Sequence, residues 1–145
     1  MKYLQIKKEN SIATVSINRP NAMNALSIEV LKEFCNLQEY FRKDLDTRVV
    51  IFTGEGDHFS AGADLKEKPQ LSTKLESWRN NFGKPAIKSI LDIDQITIAA
   101  VNGYCLGGAA CIVSACDFRI ASEKAILGYP EINLGINSVS YTHLR

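Results

Sequence analysis

Apolar and polar residues alternate along Ile12-Ala13-Thr14-Val15-Ser16-Ile17, the period of two that a half-buried strand requires. Asn18-Arg19-Pro20-Asn21 then supplies turn chemistry. Ser27 reads as a helix N-cap, with Glu29 and Glu33 near the start. Ile28, Leu31, Phe34, Cys35 and Leu37 follow at helical spacing, so an amphipathic helix is predicted over roughly 28–43. Arg48-Val49-Val50-Ile51-Phe52-Thr53 is a β-rich run of the kind buried on both faces in parallel sheets, and Gly54-Glu55-Gly56 stops it. Strand, helix and strand make a βαβ unit.

The second part of the chain continues this alternation. Residues 67–80 are polar, contain Pro69, and are expected to form a mobile, partly helical excursion. Residues 86–92 are predicted helical, and Ile96–Val101 is a second buried strand ended by Asn102-Gly103. The stretch from Leu106 to Cys116 opens on Gly107-Gly108 and continues with small and apolar residues, which suits a tightly packed helix entered through a glycine turn. Residues 117–121 read as a short strand. Such an order predicts an α/β fold with a largely parallel sheet.

Composition narrows the picture. Apolar residues make up 46% and charged residues 23% of 145 positions, a globular balance that excludes a disordered or fibrous chain. The length suits one domain with its own core. A net charge of +1 offers no basic footprint for nucleic acid or an anionic membrane. The N-terminus is too polar for a signal peptide, and no apolar run approaches membrane-spanning length. Cys35, Cys105, Cys111 and Cys116 match no CxxC spacing and only two histidines accompany them, so no metal site is expected. Scattered thiols suit a reducing, cytoplasmic setting.

Dinucleotide, P-loop and GxSxG signatures are absent. Two places remain where small residues follow a predicted buried strand, the position at which parallel α/β sheets bind ligands. At Ala61-Gly62-Ala63-Asp64 a ligand could approach the backbone closely. At Gly107-Gly108 the first N–H groups of a helix lack internal partners and suit a developing oxyanion. Both stretches could equally serve close helix–sheet packing. A third feature, Gly128-Tyr129-Pro130-Glu131, places a carboxylate after a proline, where a merely solvated surface acid is the plainer reading.

These features, in this order, resemble the crotonase (enoyl-CoA hydratase/isomerase) superfamily. The matching residues are Arg19-Pro20 with Asn24-Ala25-Leu26, Phe59 to Lys66, Ala100 to Gly108, Cys116-Asp117 and Tyr129 to Gly135. The resemblance covers about residues 10–137. It implies a crotonase-like spiral of ββα units, truncated before the C-terminal helices, with 1–137 as the N-terminal part of the domain. Residues 138–145 do not resemble the family's continuation and are expected to be an unrelated tail. It also implies an acyl-CoA thioester substrate, no cofactor beyond the coenzyme A of that substrate, and a homo-trimer or hexamer.

By motif position, the N–H groups of Ala63 and Gly108 would hold the thioester oxygen as an enolate, and Glu131 would act as acid or base. Ala25, Leu26, Ala61, Gly62, Asp64, Leu65 and Lys66 would flank the CoA, with Tyr104, Gly107, Cys111 and Pro130 also lining the site. Lys66 is either a neighbour of the CoA phosphates or a solvated lysine. The family's typical hydratases carry a further glutamate where this chain has Cys111. A thiol with a reference pKa near 8.5 is a poor replacement in water activation. Cys111 reads as a small buried residue or, less plainly, a nucleophilic thiol. With one carboxylate left, double-bond isomerisation is natural chemistry, and hydration by Glu131 alone stays open. Thioester hydrolysis, decarboxylation and silent acyl-CoA binding are the alternatives.

Overall fold

The computed structural model describes residues 1–67 and 81–130 of the chain. The expected excursion lies outside these residues from position 68 on, as do Glu131 and the expected tail.

A five-stranded sheet forms the centre, in the order β1 (Leu4–Glu9), β2 (Ile12–Ile17), β3 (Val49–Gly54), β4 (Ile96–Val101) and β6 (Phe118–Ala121). From β2 to β6 every pairing is parallel, whereas β1 runs antiparallel to β2. A two-residue turn joins β1 to β2, with Asn10 and Ser11 both at positive φ (48° and 64°), the twist that tight hairpins favour. No strand was expected over β1. It is an edge strand with one solvated face and only Leu4 fully buried, so its hydrophobic signal is faint.

The helix expected over 28–43 forms as two, α1 (Ile28–Cys35) and α2 (Leu37–Arg42), divided at Asn36. Ser27 caps α1 as expected, its Oγ accepting the Val30 N–H at 3.3 Å. Glu33 does something else: its carboxylate accepts the N–H groups of Lys2, Tyr3 and Leu4 and ties β1 to α1. Helix α3 spans Gly83–Leu91, and α4 spans Gly108–Ala115, entered through the Gly107-Gly108 turn as expected. Ahead of that turn the residues form a strand that was not expected, β5 (Tyr104–Leu106), which pairs in parallel with β7 (Ile126–Gly128) as a second sheet. Strands β5 and β7, three residues each, are too short for periodicity to register.

The core lies between the central sheet and the helices. Phe34 of α1 and Phe52 of β3 meet with ring centroids 6.2 Å apart, and Phe41 and Phe59 are also fully buried. Each such side chain contributes about 1.5–3 kcal/mol relative to exposure. Strand β3 buries one face completely and the other only partly, so the expectation of two fully buried faces is corrected: residues 49, 51 and 53 are half-covered. At the far edge, all four residues of β6 are exposed, among them Phe118 and Ile120. Among the described residues no helix is long and apolar enough to cross a membrane.

Candidate active site

Three stretches converge beyond the carboxyl ends of β3 and β4. The first is the turn from Arg19 to Leu26. Met23 and Asn24 adopt left-handed backbone (φ 49° and 55°), which reverses the chain and brings Ala25 and Leu26 inward. Asn24 is completely buried and fully partnered. Its Oδ1 accepts the Arg19 N–H at 2.8 Å, and its Nδ2 donates to the carbonyls of Glu55 and His58 at 2.9 and 2.7 Å.

The second is the small-residue stretch 60–64. Leu26 N–H donates to Gly62 O at 2.7 Å, and Asp64 N–H donates to Leu26 O at 3.2 Å, a parallel bridge that pairs Leu26 with Ala63. Ala61 N–H reaches Met23 O at 2.9 Å, and Ser60 Oγ accepts the Gly62 N–H at 3.1 Å. The third is the strand and turn Tyr104–Gly108. Ser60 pairs with Cys105 through Ser60 N–H to Tyr104 O (2.9 Å) and Leu106 N–H to Ser60 O (3.1 Å).

Glycine is required where the second and third stretches touch. Gly62 sits at φ +88°, and a Cβ there would lie 2.6 Å from Leu106 O and 3.7 Å from Gly107 Cα. Gly107 itself holds φ 54°, ψ −122°, a conformation that L side chains rarely adopt. Its N–H donates to Gly128 O at 2.9 Å, which draws the Gly128-Tyr129-Pro130 segment to the same place.

A chemical property emerges from this packing. A trans peptide points its C=O and N–H in opposite directions. Since Gly62 O faces Leu26, the N–H of Ala63 on the same peptide faces away from that bridge. Gly108 is the first residue of α4, and its N–H has no partner within the helix. Among the described residues neither N–H has a hydrogen-bond acceptor. Two unengaged donors therefore stand on loops that touch each other, one of them at the positive end of a helix dipole.

The other predicted residues fall around them. Ala63, Leu65, Lys66 and Tyr104 are exposed, Leu65 to 68%; Ala61, Asp64, Gly108 and Pro130 are half-buried; Ala25, Leu26, Gly62 and Gly107 are buried. Lys66 donates its backbone N–H to Asp64 Oδ1 at 3.1 Å. Cys111, one turn into α4, is 1% exposed, which fits a small buried residue better than an accessible thiol. Its neighbour Cys105 has a thiol pushed up to about 12 by burial, with Cys111 adding to the shift. Tyr104 packs its ring on His58 with centroids 4.5 Å apart.

Two residues quoted in the motif but given no role prove central to its geometry. Arg19 Nη1 donates to Ala25 O at 2.7 Å, and both Nη1 and Nη2 lie 3.0 Å from Asp64 Oδ2. Burial pushes the Asp64 carboxyl up, but the Arg19 hydrogen bond, the Lys66 N–H and the two positive charges together hold it below its ordinary value. Asn24 is the other, through the three bonds above. A hollow of about 700 Å³ lined by Lys8, Tyr40 and Asp44 shares no residue with these loops, and ion pairs of 2.6 Å (Lys8–Asp44) and 2.8 Å (Lys43–Glu39) lie among its lining residues.

The family model described as enoyl-CoA hydratase/isomerase matches residues 7–145. The chain is 39% identical over 132 residues to the short-chain-enoyl-CoA hydratase of Clostridium acetobutylicum, covering 90% of this chain and 51% of that protein. The same identity and coverage relate it to the crotonyl-CoA hydratase of Syntrophomonas wolfei. It superposes with a TM-score of 0.90 on the crystal structure of an enoyl-CoA hydratase/carnithine racemase from Magnetospirillum magneticum. That match has 29% identity and covers 96% of this chain and 53% of the other. The chain thus spans about half the length of the curated relatives it matches.

Proposed function

This chain belongs to the enoyl-CoA hydratase/isomerase family, and from that membership we propose that it forms the thioester-activating half of an enzyme acting on unsaturated acyl-CoA. The N–H groups of Ala63 and Gly108 receive the thioester oxygen. Glu131, outside the described residues, moves the proton. Ala25, Leu26 and residues 61–66 flank the CoA, with Lys66 on the exposed side toward its phosphates. What supports the reading is the pair of unengaged N–H donors on touching loops, together with hydratase names among the relatives.

The chemistry follows from charge. As a nucleophile adds to the β-carbon, or a base takes a proton next to the carbonyl, negative charge collects on the thioester oxygen. Preorganised donors there stabilise the transition state more than the ground state, and losing one costs about 2.7–4 kcal/mol. Glu131 supplies the base. In hydration it takes a proton from water as the water attacks C3 and, now protonated, returns a proton to C2. In isomerisation it takes a proton from one carbon and returns it at another. With Cys111 buried on α4 in place of a second carboxylate, the reading keeps both reactions and requires only the one acid–base group. The assembly proposed with it, on the family resemblance, is a trimer or a pair of trimers in the cytoplasm.

The test is turnover of crotonyl-CoA and of a 3-enoyl-CoA by the complete reading frame, beside Glu131→Gln. Product mass separates the reactions, since hydration adds one water and isomerisation none. Glu131→Gln is expected to lower turnover by about 10²–10⁴-fold while the substrate still binds. Turnover unchanged by the substitution would remove Glu131 from the mechanism, and free CoA as the product would replace this reading with hydrolysis.

A further inference from the structure

The two donor groups differ in what stands behind them. Gly108 N–H is backed by α4. Ala63 N–H has no helix, yet a positive charge lies in line with it. Arg19 Nη1 donates to Ala25 O at 2.7 Å. The opposite end of that same peptide is Leu26 N–H, which donates to Gly62 O at 2.7 Å. The opposite end of the next peptide is Ala63 N–H. Guanidinium, peptide, peptide and donor are therefore joined head to tail, with every C=O facing Arg19 and every N–H facing the place where the thioester oxygen would sit.

We propose that Arg19 is the positioning residue for the Ala63 donor: through two hydrogen-bonded peptides it both fixes the direction of the Ala63 N–H and strengthens it as a donor to an enolate oxygen. This rests on the assignment of Ala63 made above.

The physical grounds are three. Hydrogen bonds in a chain polarise one another by about 10–30% per bond, and a charged first donor adds to that. Arg19 is constrained: its backbone N–H is held by Asn24, its side chain is 22% exposed, and its guanidinium lies 5.6 Å from the Tyr3 ring centroid. Asp64 Oδ2 fixes the guanidinium through both Nη1 and Nη2 at 3.0 Å, while Nη1 also reaches Ala25 O and so carries the positive end into the relay. Asp64 N–H also closes the far side of the Leu26–Ala63 bridge. Arginine thus does for a loop what the dipole does for a helix N-terminus.

The experiment uses the complete reading frame with cinnamoyl-CoA, whose absorption moves to the red as its carbonyl is polarised. The variants are Arg19→Gln, which keeps a donor but loses the charge, and Asp64→Asn, which keeps Arg19 charged and loses its counterion. The wild type is expected to shift the bound probe to the red. Arg19→Gln should reduce that shift and lower kcat about five- to tenfold with KM within about twofold. Asp64→Asn should keep or increase the shift, whereas a purely structural ion pair would lose it in both variants. A full shift in Arg19→Gln, or a shift lost equally in both variants, overturns the relay while leaving the donors assigned. No shift in the wild type overturns that assignment and the relay with it.

Discussion

The turn at Gly107-Gly108 is tied in by backbone hydrogen bonds, Gly107 N–H on Gly128 O and Gly107 O on the Ala110 N–H, and by the helix that follows. The loop at 61–64 has backbone bonds to Met23 and Leu26, and side chains add to them, with Ser60 Oγ on Gly62 N–H, Asn24 under the opposing turn, and the Arg19–Asp64 pair across both. Each carries one N–H, of Gly108 and of Ala63, that bonds no acceptor among the described residues. The difference teaches that a donor can be preorganised in two ways. A helix supplies its field from peptides that no single substitution removes. A loop must borrow charge and rigidity from specific residues, and so can be tuned or broken one residue at a time.

The sharpest way to break the comparison is to add a methyl group on either side. Gly62→Ala forces a side chain into left-handed backbone and puts its Cβ 2.6 Å from Leu106 O, a backbone atom that cannot swing away. Strain and overpacking together should cost about 2–5 kcal/mol. Gly108→Ala meets only Leu26 Cδ1 at 3.5 Å, an ordinary contact, and should stay within about 1 kcal/mol of the parent. Denaturant midpoints of the two variants measure this. Equal losses would mean that the contact between the loops is looser than described.

Asn24→Ala probes the side-chain support without touching the donor loop. It removes three hydrogen bonds at a position with no solvent access and leaves the Glu55 and His58 carbonyls and the Arg19 N–H to find other partners. The expected loss is about 2–3 kcal/mol. Left-handed backbone at Asn24 is a further reason for asparagine there, since alanine tolerates it less well. Asn24→Asp, which keeps one acceptor, should recover only the Arg19 bond. Full stability in the alanine variant would show that the turn holds itself.

Much of the fold was legible because its signals are local. Strands β2, β3 and β4 announce themselves by alternating or continuous apolar residues, and α1 by its cap and period. The glycines and small residues of both loops were legible for the same reason: close approach has a compositional signature. Three strands were not. Strand β1 spends one face on solvent, and β5 and β7 are too short for a period to show. The break at Asn36 hides inside a continuous helical pattern, because asparagine is only mildly unfavourable there. The role of Arg19 was illegible on other grounds. Its contact with Asp64 joins residues 45 positions apart, and nothing local in either segment encodes it. Such a pairing exists only once the sheet has brought the two loops together.

The smallest effect separates the loops by pH. Asp64 has a folded pKa below its unfolded value of about 3.9. Near that value the unfolded chain therefore binds more protons than the folded one. The stabilisation from Asp64 is complete above about pH 4 and is lost as pH falls through the folded value. Protonated Asp64 no longer anchors Arg19, so the 61–64 loop should open more often in acid, in rare openings that leave its mean geometry in place. The Gly107 O to Ala110 N–H bond of the other turn joins backbone groups, which do not titrate. Hydrogen exchange reads both sides at once: Leu26 N–H reports on its bond to Gly62 O, and Ala110 N–H on its bond to Gly107 O. Between pH 5 and pH 3 the protection of Leu26 relative to Ala110 should fall about two- to fivefold, the range a solvent-screened ion pair allows. Asp64→Asn should abolish that relative change. If both amides lose protection in parallel in the parent protein, the ion pair does not hold the loop, and the two turns rest on backbone alike.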